Sequence, residues 1–261
     1  MMPNFMRLAI GTLTRLPVPA PDSVNPHVAR LAMSMAPAIG MLIALVIGVP
    51  LLIADLAVQP EGDPLRSLLL ATVAMAALAW FTRALHLDGL ADTADALGSG
   101  RPAEQALDIA RRSDIGPFGV ITVALTLMLQ VIGLAVALSQ GAGFEALTLA
   151  IVCGRVAIVL ACLRGIPAAR PDGLGAAVAG SVPPLVALAW VVVAGALAAG
   201  LAIVIGAPPV GAVVAALCAF AVTAAVLVIA RRRLGGVTGD VMGACVELAT
   251  ASVLVVLALL P

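Results

Sequence analysis

Seven apolar stretches dominate this chain, at residues 31–54, 66–85, 116–138, 145–164, 184–206, 209–230 and 245–260. A helix needs roughly 20 apolar residues to cross the hydrocarbon of a bilayer, because it rises about 1.5 Å per residue across about 30 Å. Strands would instead show segments of about ten residues with strict alternation, which these are not. Backbone amides have no water to bond in lipid, so each stretch must satisfy its own hydrogen bonds as a helix. The fold class is therefore all-α: a polytopic membrane bundle of about seven transmembrane helices, with short cytoplasmic amphipathic helices and loops. It reads as one domain over residues 1–261.

Composition supports that class. Apolar residues make up 62% and charged residues 11% of the chain, too little charge to cover a water-soluble globule. Disordered, collagen-like and disulfide-scaffold chains need compositions that are absent here. The 14 basic and 14 acidic residues cancel, which removes the electrostatic case for a nucleic-acid partner and leaves the bilayer as the expected one. All the basic residues are arginine, and neither Lys nor Tyr occurs. Cys153, Cys162, Cys218 and Cys245 lie in or beside apolar runs without paired spacing, as small core residues rather than disulfides or metal ligands.

The arginines orient the bundle. Arg7, Arg15 and Arg30 precede the first span, and Arg83, Arg101, Arg111 and Arg112 flank or occupy the loop after the second. Arg164 and Arg170 follow the fourth, and Arg231, Arg232 and Arg233 follow the sixth. These are alternate loops, whereas the opposite ones hold Arg66 with Asp55, Glu61, Asp63 and Glu145. The positive-inside rule then places the amino terminus in the cytoplasm and the carboxyl terminus outside. The first 30 residues, broken by Pro17, Pro19 and Pro21, do not read as a cleavable signal peptide.

The segment FTRALHLDGLADTADALGSG, residues 81–100, carries the strongest chemical signal. Asp88, Asp92 and Asp95 stand at i, i+4 and i+7, which aligns them on one face of a helix. Three adjacent carboxylates repel one another unless a cation or a basic partner intervenes. Oxygen donors without thiols or a histidine cluster suit Mg2+, or Mn2+, held partly through a bound phosphate and waters. The alternative is a solvated helix face. On a continuous helix His86 points away from the aspartates, which leaves it catalytic or structural.

A second pair lies in RRRLGGVTGDVMGACVEL, residues 231–248, where Asp240 and Glu247 are again i and i+7. Gly235, Gly236 and Gly239 suggest a flexible loop before them whose amides can approach an anion. A lone carboxylate such as Glu247 is expensive in an apolar span. DIARRSDIGPFG, residues 108–119, and RGIPAARPDGLG, residues 164–175, combine Arg with Gly, Pro and short polar groups. Guanidinium forks suit phosphate oxygens, so Arg111, Arg112, Ser113, Arg170 and Arg233 are candidate binding groups. Each loop can equally be a connector, and the arginines, Arg15 included, topology markers.

These residues resemble a known family. TRLPVP, ALHLDGLADTADAL, RRSDIGPFGV, the Gly154–Arg155 pair, ARPDGLG and LGGVTGDVMGACVEL occur in the order and approximate spacing of the adenosylcobinamide-GDP ribazoletransferases, or cobalamin synthases. The similarity covers essentially the whole chain, and the His-x-Asp-Gly-x-x-Asp-x-x-Asp and Gly-Gly-x-Thr-Gly-Asp blocks are its specific parts. It implies a bacterial inner-membrane, Mg2+-dependent enzyme, with its active site on the cytoplasmic face. Such an enzyme joins adenosylcobinamide-GDP to α-ribazole or its 5′-phosphate and releases GMP. His86, Asp88, Asp92 and Asp95 fall on the family's acidic motif, and Asp240 and Glu247 on its second. The expected metal ligands are Asp88, Asp92, Asp95 and Asp240, with Glu247 completing the site or serving as base. Arg155 joins the candidate binding arginines. One departure is that Arg112 precedes Ser113 and Asp114 follows it, the reverse of the usual charge order.

Two other readings compete. A CDP-alcohol phosphotransferase needs an Asp and an Ala-Arg pair where this chain has Leu85 and Asp92–Thr93. A secondary transporter places its ionisable groups near the bilayer midplane on broken helices, whereas these carboxylates cluster at one interface.

Overall fold

The structure, a computed structural model, describes residues 2–57, 63–112 and 114–260. Glu61 and Ser113 therefore lie outside the described residues. Among these described residues twelve helices follow in order: α1 (Asn4–Leu13), α2 (Pro26–Ser34), α3 (Ala36–Ala57), α4 (Pro64–Phe81), α5 (Leu85–Gly98) and α6 (Ala103–Ile109) come first. After them come α7 (Pro117–Ser139), α8 (Gly143–Ala161), α9 (Gly173–Val178), α10 (Pro184–Val204), α11 (Pro209–Leu234) and α12 (Gly239–Leu259). Seven of the described helices, α3, α4, α7, α8, α10, α11 and α12, are long and apolar enough to cross a membrane. The chain is a multi-pass, all-helical membrane protein.

Local chemistry sets the helix ends and corrects several expected boundaries. The span expected at 31–54 is two helices, because α2 stops at Ser34 and α3 starts at Ala36. The second span stops at Phe81 rather than running to 85, because Arg83 and Ala84 adopt left-handed backbone (φ 58° and 53°). The last span starts at Gly239, six residues ahead of the expected 245, where the Thr238 side chain accepts a bond from Val241 N. Proline occupies the first turn of α4, α7, α10 and α11, where its missing N–H costs no intrahelical bond.

Two spans form the centre. α8 is buried along 83% of its apolar window and α12 along 67%, against 22–39% for the other five. They meet at Gly154, where an added Cβ would come within 2.7 Å of Thr250 Oγ1. Small residues let helix backbones approach closely where hydrophobic burial gives no driving force, as in lipid. The outer spans turn large apolar side chains outward, among them Leu69, Val73, Leu185, Val192 and Leu217.

The arginine-bearing end of the bundle carries the shorter helices and one stitched loop. Arg164 N donates to Val182 O and Val182 N to Cys162 O, each at 2.9 Å. Ala169 N donates to Val237 O and Val237 N to Pro167 O, also at 2.9 Å. The 162–172 segment is thereby tied both to the start of α10 and to the turn before α12. Gly236 is buried against it, and any side chain there would collide with Pro167 O. The glycine stretch expected to be a flexible loop is a fixed one.

Candidate functional site

α5 owes its direction to the strained corner ahead of it. Left-handed backbone is unfavourable for residues with a Cβ by roughly 1–2 kcal/mol each, and here it occurs twice in succession. Three contacts hold it: Ala84 N donates to Ala79 O at 2.7 Å, Arg15 N to Phe81 O at 2.8 Å, and Arg83 Nη2 to Gly11 O at 2.6 Å. The chain leaves α4 and α5 runs across the first turns of α12.

The crossing is glycine against backbone. A Cβ on Gly89 would lie 2.8 Å from Asp240 O, and one on Gly243 would lie 3.0 Å from His86 O. Across it the Asp88 and Asp92 charges act on Asp240 and each other. The two separate sequence motifs become one carboxylate group. Thr238, the cap of α12, donates from Oγ1 to Asp240 Oδ2 at 3.1 Å, and Arg170 Nη1 lies 3.8 Å from the same oxygen. Arg170 is held by Nη2, which donates to Leu107 O at 2.6 Å.

A cavity of about 270 Å³ opens beside this group. Its lining includes His86, Asp88, Arg170, Asp172, Thr238 and Asp240, together with the apolar Leu13 and Met33. Gly175 closes on Thr238, where a Cβ would meet the Thr238 Cα at 2.8 Å. The arrangement offers carboxylate oxygens and one guanidinium over an apolar floor, a donor set for a phosphate ester and its counter-cation.

Burial, then the charges of Asp88, Asp240 and Asp95, push the Asp92 carboxyl up to about 7, against the opposing pull of Arg170. Asp92 is half-buried and Asp88 exposed; neither carboxylate has a hydrogen-bond or ion-pair partner among the described residues. No three His, Cys, Asp or Glu side chains among those residues already stand at metal-binding distance.

Other expected members lie elsewhere. Asp95 is buried, and its two oxygens accept from Gly116 N at 2.7 Å and Gly119 N at 2.9 Å, the start of α7. Glu247 is buried beneath the cavity, where Gln130 Nε2 donates to its Oε2 at 2.8 Å. Arg155, 1% exposed inside α8, acts electrostatically on Glu247 without a direct ion pair. Its stem packs on Gly40, where a Cβ would lie 3.1 Å away. Arg155 therefore faces the bundle interior rather than the cavity. His86 lines the cavity, yet its Nδ1 is buried without a partner; burial and the nearby Arg155 lower the imidazole to about 3, so it is neutral.

The remaining arginines spread over the arginine-bearing end. Arg111 Nη2 donates to both oxygens of Asp172, at 2.6 and 2.8 Å, at the cavity edge. Arg112 is exposed in a separate cleft with Asp114, Arg233 is exposed in the last turn of α11, and Arg15 stacks 3.5 Å over the Trp80 ring. Sequence reasoning missed Thr238, Asp172 and Gln130. Thr238 and Asp172 sit inside motifs already singled out, and Gln130 stands as a lone amide within an apolar span.

Comparisons with known proteins complete these observations. A sequence model of the cobalamin-5-phosphate synthases matches residues 5–258. A protein of Frankia casuarinae named adenosylcobinamide-GDP ribazoletransferase is 38% identical, over 97% of this chain and 94% of the relative. Proteins of the same name from Nocardioides sp. and Pseudomonas entomophila are 40% and 36% identical, over 97% of this chain and 97% and 98% of theirs. No solved structure matches the chain.

Proposed function

The chain belongs to the cobalamin-5-phosphate synthase family, and we propose that it joins adenosylcobinamide-GDP to α-ribazole, or to α-ribazole 5′-phosphate, releasing GMP. The observation that carries the reading is the α5–α12 crossing, which brings Asp88 and Asp240 to one cavity that Arg170 also lines, with Asp92 one turn along α5 from Asp88. Since the arginine-bearing loops hold this site, the positive-inside rule supports a cytoplasmic active site and amino terminus.

The reaction forms one bond and breaks another at a single phosphorus. A ribose hydroxyl oxygen attacks the phosphorus that bears cobinamide, its proton passes to base or solvent, and the bridging oxygen departs with GMP. Such transfers depend chiefly on positioning and on neutralising charge around phosphorus. Arg170 supplies one fixed positive group, held in place by Leu107 O and Asp240.

The unpaired carboxylates of Asp88 and Asp92 and the oxygen of Asp240 fit a hard divalent cation that takes its other ligands from phosphate and water. Mg2+ held there would neutralise the diphosphate and stabilise the leaving oxygen. Neutral His86 and the apolar Leu13 and Met33 add no charge to the lining.

The test is GMP release by purified protein, in detergent or liposomes, with adenosylcobinamide-GDP, each ribazole substrate and graded Mg2+. Wild-type protein is expected to release GMP only with Mg2+, and Asp92→Asn to release none while unfolding no earlier than wild type. GMP release at the wild-type rate by Asp92→Asn would remove the carboxylate group from the mechanism.

A further inference from the structure

We propose that Asp95 is a positioning residue: it fastens the far end of α5 to the first turn of α7 and so fixes where Asp88 and Asp92 stand against Asp240. The inference rests on the reading of the carboxylate group given above. In sequence Asp95 is the third member of an acidic column and an equal candidate for the cation. In the fold the column divides. Exposure falls from Asp88 through half-buried Asp92 to Asp95, which is 7% exposed.

Both oxygens of Asp95 are engaged. Oδ2 accepts from Gly116 N at 2.7 Å and Oδ1 from Gly119 N at 2.9 Å. The first amides of a helix have no intrahelical acceptor and carry the positive end of its dipole. A carboxylate contributed by another helix satisfies two of them at once, with charge-assisted bonds stronger than neutral ones.

The partners are shaped for it. A side chain at either Gly116 or Gly119 would collide with the Asp95 carboxylate, and the Gly119 Cβ would also come within 3.0 Å of Ala91 O. The two glycines form a pocket for the carboxylate and keep α7 against α5. Asp92 lies one turn back along the same helix, so any release of Asp95 is transmitted to it directly.

Three variants test this: Asp95→Asn, Gly119→Ala and Asp92→Asn, each followed by hydrogen exchange of residues 115–121 and by GMP release against Mg2+ concentration. Asn keeps one acceptor oxygen, and the alanine variant leaves the carboxylate intact but displaces it. In both, exchange in the first turn of α7 is expected to quicken about 10- to 100-fold and turnover to fall about 10- to 100-fold. Because Asp88 and Asp92 shift with α5, the Mg2+ concentration for half-maximal rate is expected to rise only together with the faster exchange. Asp92→Asn should leave that exchange unchanged.

Unchanged exchange with a Mg2+ requirement raised about tenfold or more would make Asp95 a cation ligand instead and overturn the proposal. Wild-type turnover in both Asp95→Asn and Gly119→Ala would overturn it as well. If wild-type protein itself releases no GMP, the functional reading fails, while the exchange comparison still decides whether Asp95 anchors α7.

Discussion

Replacing Gly89 by Ala inserts one methyl group where α5 crosses α12, and the consequence can be worked from the contact itself. The new Cβ would stand 2.8 Å from Asp240 O and 2.9 Å from Asp240 Cα, both backbone atoms of a central helix. Opening the 2.8 Å contact to an ordinary 3.4 Å moves α5 off α12 by at least about 0.6 Å. Asp88 and Asp92 move with α5, while Asp240 stays with α12. Displacements near 1 Å at a reacting centre lower rates by about 100-fold, so turnover should fall about 10- to 100-fold. Gly200→Ala in α10 is the control, since nothing lies within 4 Å of its Cβ position. Alanine is a better helix former than glycine by about 1 kcal/mol, so that variant should turn over normally and unfold no earlier. Each would be purified in detergent and compared by GMP release and thermal unfolding. Wild-type turnover in Gly89→Ala would refute the view that this crossing sets the carboxylate geometry.

Glu247→Gln removes the charge that acts on buried Arg155 and weakens the bond from Gln130, which is expected to destabilise the protein by about 1–3 kcal/mol. The double variant Arg155→Met with Glu247→Leu should be less destabilised than the two single losses combined, read from denaturation in detergent. Asp92 gives a pH signature without Mg2+: its folded-state carboxyl sits at about 7 against an ordinary 3.8. The stability its neutral form contributes is therefore full below about 4 and lost as pH rises through about 7. Added Mg2+ should raise the unfolding temperature more at pH 8 than at pH 5.5, and Asp92→Asn should flatten that difference. Ala84→Gly removes a left-handed residue with a Cβ and should raise stability by about 1 kcal/mol with turnover retained, checked by the same two assays.

The bundle was legible because apolar length in a bilayer leaves one solution, and the seven spans appear where hydropathy places them. The ends were less so. Nothing in the run from Leu78 to Leu85 announces two left-handed residues without glycine, since tertiary contacts to Gly11 and Arg15 hold them. Periodicity correctly put Asp88, Asp92 and Asp95 on one face, but a face is not a common partner. The second half of that column meets α7, and helix spacing alone holds no information about a neighbouring helix. The glycines were legible as residues and not as contacts. Gly236 reads as freedom in sequence and acts as a fit, because only its lack of a side chain lets two loops exchange backbone bonds.

The pair Asp240 and Glu247 shows what this distinction does to chemistry. Seven residues apart on α12, they share a face, yet they are separated by about 10.5 Å along the axis. Asp240 ends at the cavity with Thr238 and Arg170. Glu247 ends among Gln130 and Arg155, packed between α7, α8 and α12. A carboxylate at that depth is retained only where partners offset its desolvation, and those partners come from the two helices that border α12. The deep group therefore fixes the rotation of α12 in the bundle. Because Asp240 stands two turns away on the same helix, that rotation also determines whether it meets Asp88 and Asp92. On the proposed function, the two carboxylates of α12 thus divide the work, Asp240 facing the cavity and Glu247 aiming the helix that carries it.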